Sequence, residues 1–155
     1  MDGKVITFIL VSLLILASGC ITSKGNDANN ATGDAISEPN ISSGVDKVEI
    51  IHFHGTRQCN SCITVGKYAE ETVNTYFSEE VKSGRVFFAS INAELPENNE
   101  LVSKYGATGS SLWIGVYDEN GFRKEQNVNV WYKISDKQVY MDYLKGVING
   151  TLAGE

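Results

Sequence analysis

The pair Cys59 and Cys62, spaced as C-x-x-C, is the feature of this 155-residue chain most able to do chemistry. It falls where an apolar, β-rich segment gives way to a helical pattern, which predicts a position at a helix N-terminus. Free backbone N–H groups and the helix dipole favour a thiolate there. Cys59 is therefore predicted to attack, aided by the charge of Arg57, and Cys62 to resolve the mixed disulfide.

A structural disulfide and a metal site are alternative roles for the same two cysteines. A structural disulfide usually closes a longer loop, because its stabilisation grows with loop length. A structural zinc site normally needs four ligands, commonly two such pairs, and only one pair is present. A soft-metal site stays open, because thiolates and an imidazole suit Cu(I) or Zn. Its ligands would be Cys59, Cys62 and His54.

The hydrophobic pattern predicts the elements that position the pair. Strands are expected at residues 47–53 and 86–91, helices at 62–77 and 97–105, a hairpin of 112–117 with 122–128, and a last helix from the N-cap Asp136 to a stop at Asn149-Gly150. The first two strands are mostly apolar, as in strands buried on both faces. A right-handed βαβ unit, a hairpin and a closing helix give an α/β fold with a four-stranded mixed sheet and helices on both faces.

An export signal and a tether are predicted ahead of this domain. Lys4 precedes thirteen residues without a charge, Val5 to Ala17, which is too short for an ordinary spanning helix of about 20 residues. The stretch Leu16-Ala17-Ser18-Gly19-Cys20 resembles the lipobox of prokaryotic lipoproteins, which implies cleavage before Cys20 and acylation of its sulfur. An uncleaved N-terminal anchor is the alternative.

Three segments follow from this interpretation: a signal peptide at 1–19, a lipid-anchored flexible stalk at 20–45 and a folded domain at 46–155. The predicted location is the extracytoplasmic face of the cell membrane. Nineteen acidic against thirteen basic residues give a net charge of -6, which disfavours a nucleic-acid partner.

The C-x-x-C at a helix start and the later stretch Lys104-Tyr105-Gly106-Ala107-Thr108-Gly109-Ser110-Ser111-Leu112 resemble thioredoxins, whose matching stretch is K-Y-G-x-x-G-x-P-T. The resemblance covers residues 47 to about 152. It implies a thioredoxin-like fold and thiol-disulfide exchange, with protein or small-molecule dithiols and disulfides as partners and no separate cofactor. Residues 54–62 look closest to small prokaryotic proteins named as nitroreductase subunits of the ArsF type.

Two positions depart from the thioredoxin pattern. The proline that lies against the active-site sulfurs in that family falls on Ser111, so the resemblance implies that Ser110 and Ser111 bind substrate. His52 falls where thioredoxins bury a carboxylate, and an imidazole there could accept the proton of Cys62. A core histidine satisfied by hydrogen bonds is the alternative for His52. His54 is predicted on the same strand face, nearer to solvent.

Overall fold

In this computed structural model of the chain, residues 44–155 are described. The predicted signal peptide, the predicted lipidation site Cys20 and nearly all of the predicted stalk lie outside them. The elements are strands β1 (Val45–His54), β2 (Val86–Asn92), β3 (Ser111–Asp118) and β4 (Gly121–Gln126), and helices α1 (Asn60–Tyr76), α2 (Ser78–Lys82), α3 (Asn99–Tyr105) and α4 (Lys137–Ala153). Short 3-10 turns occupy Pro96–Asn98 and Val128–Tyr132. No helix in this part of the chain is long and apolar enough to cross a membrane.

The four strands form one mixed sheet in the order β2-β1-β3-β4. Strand β1 runs parallel to β2 and antiparallel to β3, while β4 is the antiparallel hairpin partner of β3. Strand β1 is central and is buried along most of its length, which explains its nearly continuous apolar sequence.

Helices cover both faces of the sheet, so the predicted fold class is confirmed. Successive side chains of β1 point to opposite faces. Val48 and Ile50 belong to the larger core, which includes buried residues of α1 and α4, whereas Ile51 and Phe53 pack with Tyr105 of α3. The first face is called the α1 face below, and the second the α3 face.

Helix α1 begins at Asn60 with Cys59 as its N-cap, which agrees with the predicted position of the cysteine pair at a helix N-terminus. One predicted helix limit was wrong. Helix α4 does not stop at Asn149-Gly150 but continues to Ala153 and ends at Gly154, whose φ of 86° closes the helix in the left-handed conformation. A glycine inside a helix costs only about 1 kcal/mol, and the packing of Leu152 against the core favours the longer helix.

A buried carboxylate lies on the α3 face of β1. Glu49 is 8% exposed and accepts hydrogen bonds from Lys47 Nζ at 2.8 Å, Tyr105 Oη at 2.8 Å and Tyr117 Oη at 3.0 Å. Burial alone would raise the pKa of Glu49, but these three hydrogen bonds outweigh it and lower the pKa below the usual value. The ionised form of Glu49 therefore stabilises the folded chain.

Replacing Glu49 by glutamine should change how stability depends on pH. A carboxyl whose pKa is lowered on folding stabilises fully above its unfolded pKa of about 4.3, and this contribution is lost as the pH falls through the folded pKa. We expect Glu49→Gln to lower the free energy of unfolding by about 1 to 2 kcal/mol at neutral pH. Its loss of stability on acidification should also be smaller than that of the wild type.

Urea unfolding near pH 7 and near pH 3.5 measures both effects. Glu125→Gln is the matched control, because Glu125 is exposed on β4 and makes no ion pair with any described residue. Equal pH dependence in wild type and Glu49→Gln would contradict the role given to Glu49.

Candidate functional site

The two cysteines of the C-x-x-C pair lie in the first turn of α1. Cys59 is the N-cap residue, with extended backbone angles, and its Sγ accepts the backbone N–H of Cys62 at 3.3 Å. Cys59 is exposed, Cys62 is half-buried, and both are free thiols. The sulfur of Cys59 thus takes the place that a serine or aspartate oxygen has in an ordinary N-cap, where an anion is stabilised.

Hydrogen bonds lower the pKa of the Cys62 thiol. The strongest comes from the side chain of Cys59 and the next from the hydroxyl of Ser110, while partial burial of Cys62 opposes them. Cys59 is the more exposed residue of the pair.

The two serines predicted to bind substrate have different surroundings. Ser110 is half-buried, and its side chain contributes to lowering the pKa of the Cys62 thiol. Ser111 is 3% exposed, and its hydroxyl donates to Gly109 O at 2.9 Å and accepts from Trp113 Nε1 at 3.0 Å. Ser111 is paired with Phe53 of β1, so its side chain lies on the α3 face of the sheet. Of the two hydroxyls, that of Ser110 is the one brought to the cysteines.

Arg57 lies exposed in the loop between β1 and α1. Among the described hydrogen bonds and ion pairs, none joins its guanidinium to Cys59, so its predicted effect on the thiolate stays a prediction. A contact that the sequence did not suggest holds this loop: Thr56 donates its backbone N–H to Glu94 Oε2 at 3.0 Å, and its Oγ1 accepts Asn92 Nδ2 at 3.0 Å. These two hydrogen bonds hold the loop against the residues at the end of β2.

His52 lies on the α1 face beneath the first turns of α1. It is 1% exposed, its Nδ1 is 3.0 Å from Ser90 Oγ, and its Nε2 is buried without a hydrogen-bond partner. A Cβ at Gly66 would lie 2.4 Å from Nδ1, so the ring packs directly against the helix backbone. Cys62 lies one turn before Gly66, on the same side of α1.

Burial and, to a smaller extent, the neighbouring charge of His54 lower the pKa of His52 to about 4, against the opposing effect of a hydrogen bond to the backbone of Cys62. The imidazole of His52 is therefore neutral near pH 7, with one ring nitrogen free to accept a proton. His54 is half-buried. Its ring stacks on that of His52 at 5.6 Å between centroids, and its Nδ1 is 2.9 Å from Gly55 O.

The close packing of His52 on Gly66 predicts that Gly66→Ala destabilises the domain. The added methyl must displace the ring or the helix, and overpacking of this kind costs about 1 to 3 kcal/mol. Gly146→Ala on α4 is the matched control, because a Cβ there meets nothing within 4 Å. It should instead stabilise the helix by about 0.5 to 1 kcal/mol.

Chemical denaturation of both alanine variants measures their free energies of unfolding, which should change in opposite directions. A Gly66→Ala protein as stable as Gly146→Ala would show that His52 does not pack against α1 as described.

The alternative soft-metal site is not assembled. Within residues 44–155, no three His, Cys, Asp or Glu side chains come together in a way that could hold a metal ion. The predicted set of Cys59, Cys62 and His54 is therefore not brought together as three ligands. The Nδ1 of His54 instead contacts Gly55 O at the end of β1.

A cleft of about 900 Å³ lies elsewhere, between β4 and α4. Ile114, Val116, Tyr143 and Gly146 are among its lining residues, which include none of the predicted site residues. Cys59 is exposed at the protein surface and does not line this cleft.

No protein-family model matches the chain, and no curated protein matches it. Among solved structures, it is similar to a thioredoxin from Thermus thermophilus, with 14% identity, a TM-score of 0.41, and 70% of this chain and 76% of the other covered. It is also similar to a malarial protein, with 13% identity, a TM-score of 0.35, and 52% and 81% covered. The predicted resemblance to nitroreductase subunits of the ArsF type is not supported by these matches. The order of strands and helices is that of a thioredoxin-like fold.

Proposed function

We propose that this thioredoxin-like domain is a thiol-disulfide oxidoreductase in which Cys59 attacks and Cys62 resolves. The fold and the close cysteine pair together suggest thiol chemistry. The observation that carries the finer proposal is the exposed Cys59 sulfur at the N-cap of α1, which accepts the Cys62 N–H at 3.3 Å. The thiolate is the nucleophile in disulfide exchange, and the exposed Cys59 is the sulfur of the pair that a partner disulfide can reach.

The reaction proceeds in two displacements. The Cys59 thiolate attacks one sulfur of the partner disulfide, a bond forms between them, and the other partner sulfur leaves with the electron pair as a thiolate. Cys62 then loses its proton and attacks Cys59 Sγ. The new Cys59–Cys62 disulfide releases the second partner thiolate, so two electrons pass from the protein to the partner. Run in reverse, the same steps oxidise a partner dithiol.

His52 supplies the acceptor for the proton of Cys62. Cys62 and Gly66 share one side of α1, and the buried ring of His52 packs against that side. Because Nε2 has no partner among the described residues and the ring is neutral at pH 7, one ring nitrogen is open to a proton. A buried nitrogen without a partner is costly in a purely structural histidine, which favours the catalytic role over the core role.

The partners that we propose are protein or small-molecule disulfides and dithiols, and the exchange needs no separate cofactor. We also propose that the domain works on the extracytoplasmic face of the membrane, held through acylated Cys20. The support for this location is the sequence before residue 44: a short apolar run, a lipobox-like stretch and a polar segment suited to a flexible tether.

Equilibration of the purified domain with glutathione redox buffers tests the proposal. We expect Cys59 and Cys62 to convert reversibly between dithiol and disulfide, and the reduced domain to turn over a small disulfide repeatedly. Thiol counts before and after dithiothreitol, with metal analysis on the same sample, complete the experiment. Tight Cu(I) binding without any disulfide turnover would overturn the proposal in favour of metal handling.

A further inference from the structure

Ser90, on edge strand β2, contacts the buried histidine of the proposed site. In the parallel pairing of β1 and β2, Ser90 is the direct partner of His52, and its Oγ lies 3.0 Å from His52 Nδ1. Ser90 itself is exposed, whereas His52 is 1% exposed. The serine hydroxyl therefore connects a buried ring nitrogen to solvent.

We propose that Ser90 is a positioning residue for His52 and the point at which the proton of Cys62 leaves the buried site. This inference rests on the proposed oxidoreductase function. A serine hydroxyl can both accept and donate a hydrogen bond. When Ser90 Oγ accepts Nδ1–H of His52, the lone pair of the neutral imidazole is at Nε2, the nitrogen that has no partner among the described residues.

The proton balance of resolution follows from these contacts. The thiol proton of Cys62 moves to His52 Nε2, the proton of Nδ1 moves to Ser90 Oγ, and the hydroxyl proton of Ser90 passes to water. The Cys62 sulfur keeps the electron pair and forms its bond with Cys59, from which the partner thiolate leaves. The net change is one proton delivered to water and one exchange of the imidazole tautomer. Reduction of the new disulfide returns the proton by the reverse path.

Few other described groups around His52 could take this proton. His54 stacks on His52 from the same strand, and α1 presents the backbone of Cys62 to the ring. Strand β3 presents the uncharged Leu112 as the paired residue. Burial keeps the ring of His52 from holding a second proton near pH 7, so a proton accepted at Nε2 must be passed on, and the hydroxyl of Ser90 is the group in contact with the other nitrogen.

The test measures resolution of a mixed disulfide between Cys59 and thionitrobenzoate, whose release is coloured, across about pH 5.5 to 9.5. Near pH 7 we expect Ser90→Ala to resolve about tenfold or more slowly than wild type, the lower range of proton-transfer effects. The difference should disappear at the alkaline end, where Cys62 ionises without help. Ser90→Thr keeps the hydroxyl and should keep the wild-type profile. Ser103→Ala, at an exposed serine of α3, is the matched control.

Identical pH profiles for wild type and Ser90→Ala would overturn this inference while leaving the oxidoreductase proposal intact. No turnover in the wild type would instead remove the oxidoreductase proposal itself. If Ser90→Ala does not fold, the wild-type resolution rate in mixtures of light and heavy water decides the matter. A curved dependence on the deuterium fraction indicates more than one proton in motion and supports the relay, whereas a linear dependence overturns it.

Discussion

Cys62→Ser will trap the domain in a mixed disulfide with its partner, and Cys59→Ser will form no such adduct. The attacking sulfur remains in the first variant, but the thiol that releases the partner is gone. Turnover of a disulfide substrate should fall by more than about a thousandfold in both variants, as expected when a covalent nucleophile or its indispensable partner is removed.

Mass spectrometry of the trapped adduct, with mapping of the modified residue, measures this difference. The double variant Cys59→Ser with Cys62→Ser gives the background. The experiment distinguishes two assignments of the attacking sulfur. Exposure favours Cys59, whereas the lowered pKa belongs to Cys62. Adducts on Cys62 in the Cys59→Ser protein, in equal or larger amount, would reverse the two roles.

His52→Ala should slow resolution of the mixed disulfide by about a hundredfold or more near pH 7, within the range measured for general acid–base groups. The effect arises because Cys62 loses the neutral imidazole that takes its proton. His52 has a pKa of about 4, so the wild-type rate should hold from neutral pH down to about that value and fall below it, where the ring is already protonated. Above about pH 8.5 the variant should recover as Cys62 ionises unaided.

His54→Ala is the control for this experiment, since it removes the stacked, half-buried neighbour and keeps His52. The comparison uses the ratio of rates at neutral and alkaline pH, which a general loss of stability does not change. Resolution rates of His52→Ala and His54→Ala that agree near neutrality would leave His52 with a structural role only.

The individual strands and helices and the location of the cysteine pair could be predicted because each depends on a short stretch of sequence. The apolar strands, the helical stripe after Cys62 and the Asn120-Gly121 turn are readable in short windows, and the structure has a strand, a helix and a hairpin at these places. Helix ends were less predictable. Gly150 and Gly154 are both plausible stops, and the choice depends on how far Leu152 packs against the core.

The neighbours of His52 could not be predicted, because they depend on strand register and helix position. Ser90 is the polar member near the end of an otherwise apolar run, which is a weak signal, and its contact requires the pairing of His52 with Ser90. Glu49 shows the same limit. It is three residues before His52, so the alternation of the strand sends it to the α3 face, where it bonds to Tyr105 and Tyr117 instead of serving the cysteines.

The contact between His52 and Gly66 places a steric constraint on two positions of the chain. An imidazole at position 52 needs the space left by the missing side chain at position 66, where a Cβ would lie 2.4 Å from the ring. Descendants or ancestors of this chain that replaced the histidine by a shorter acidic or aliphatic side chain would no longer be held to glycine at 66. A related chain that keeps histidine at position 52 should therefore keep glycine at position 66, fourteen residues later.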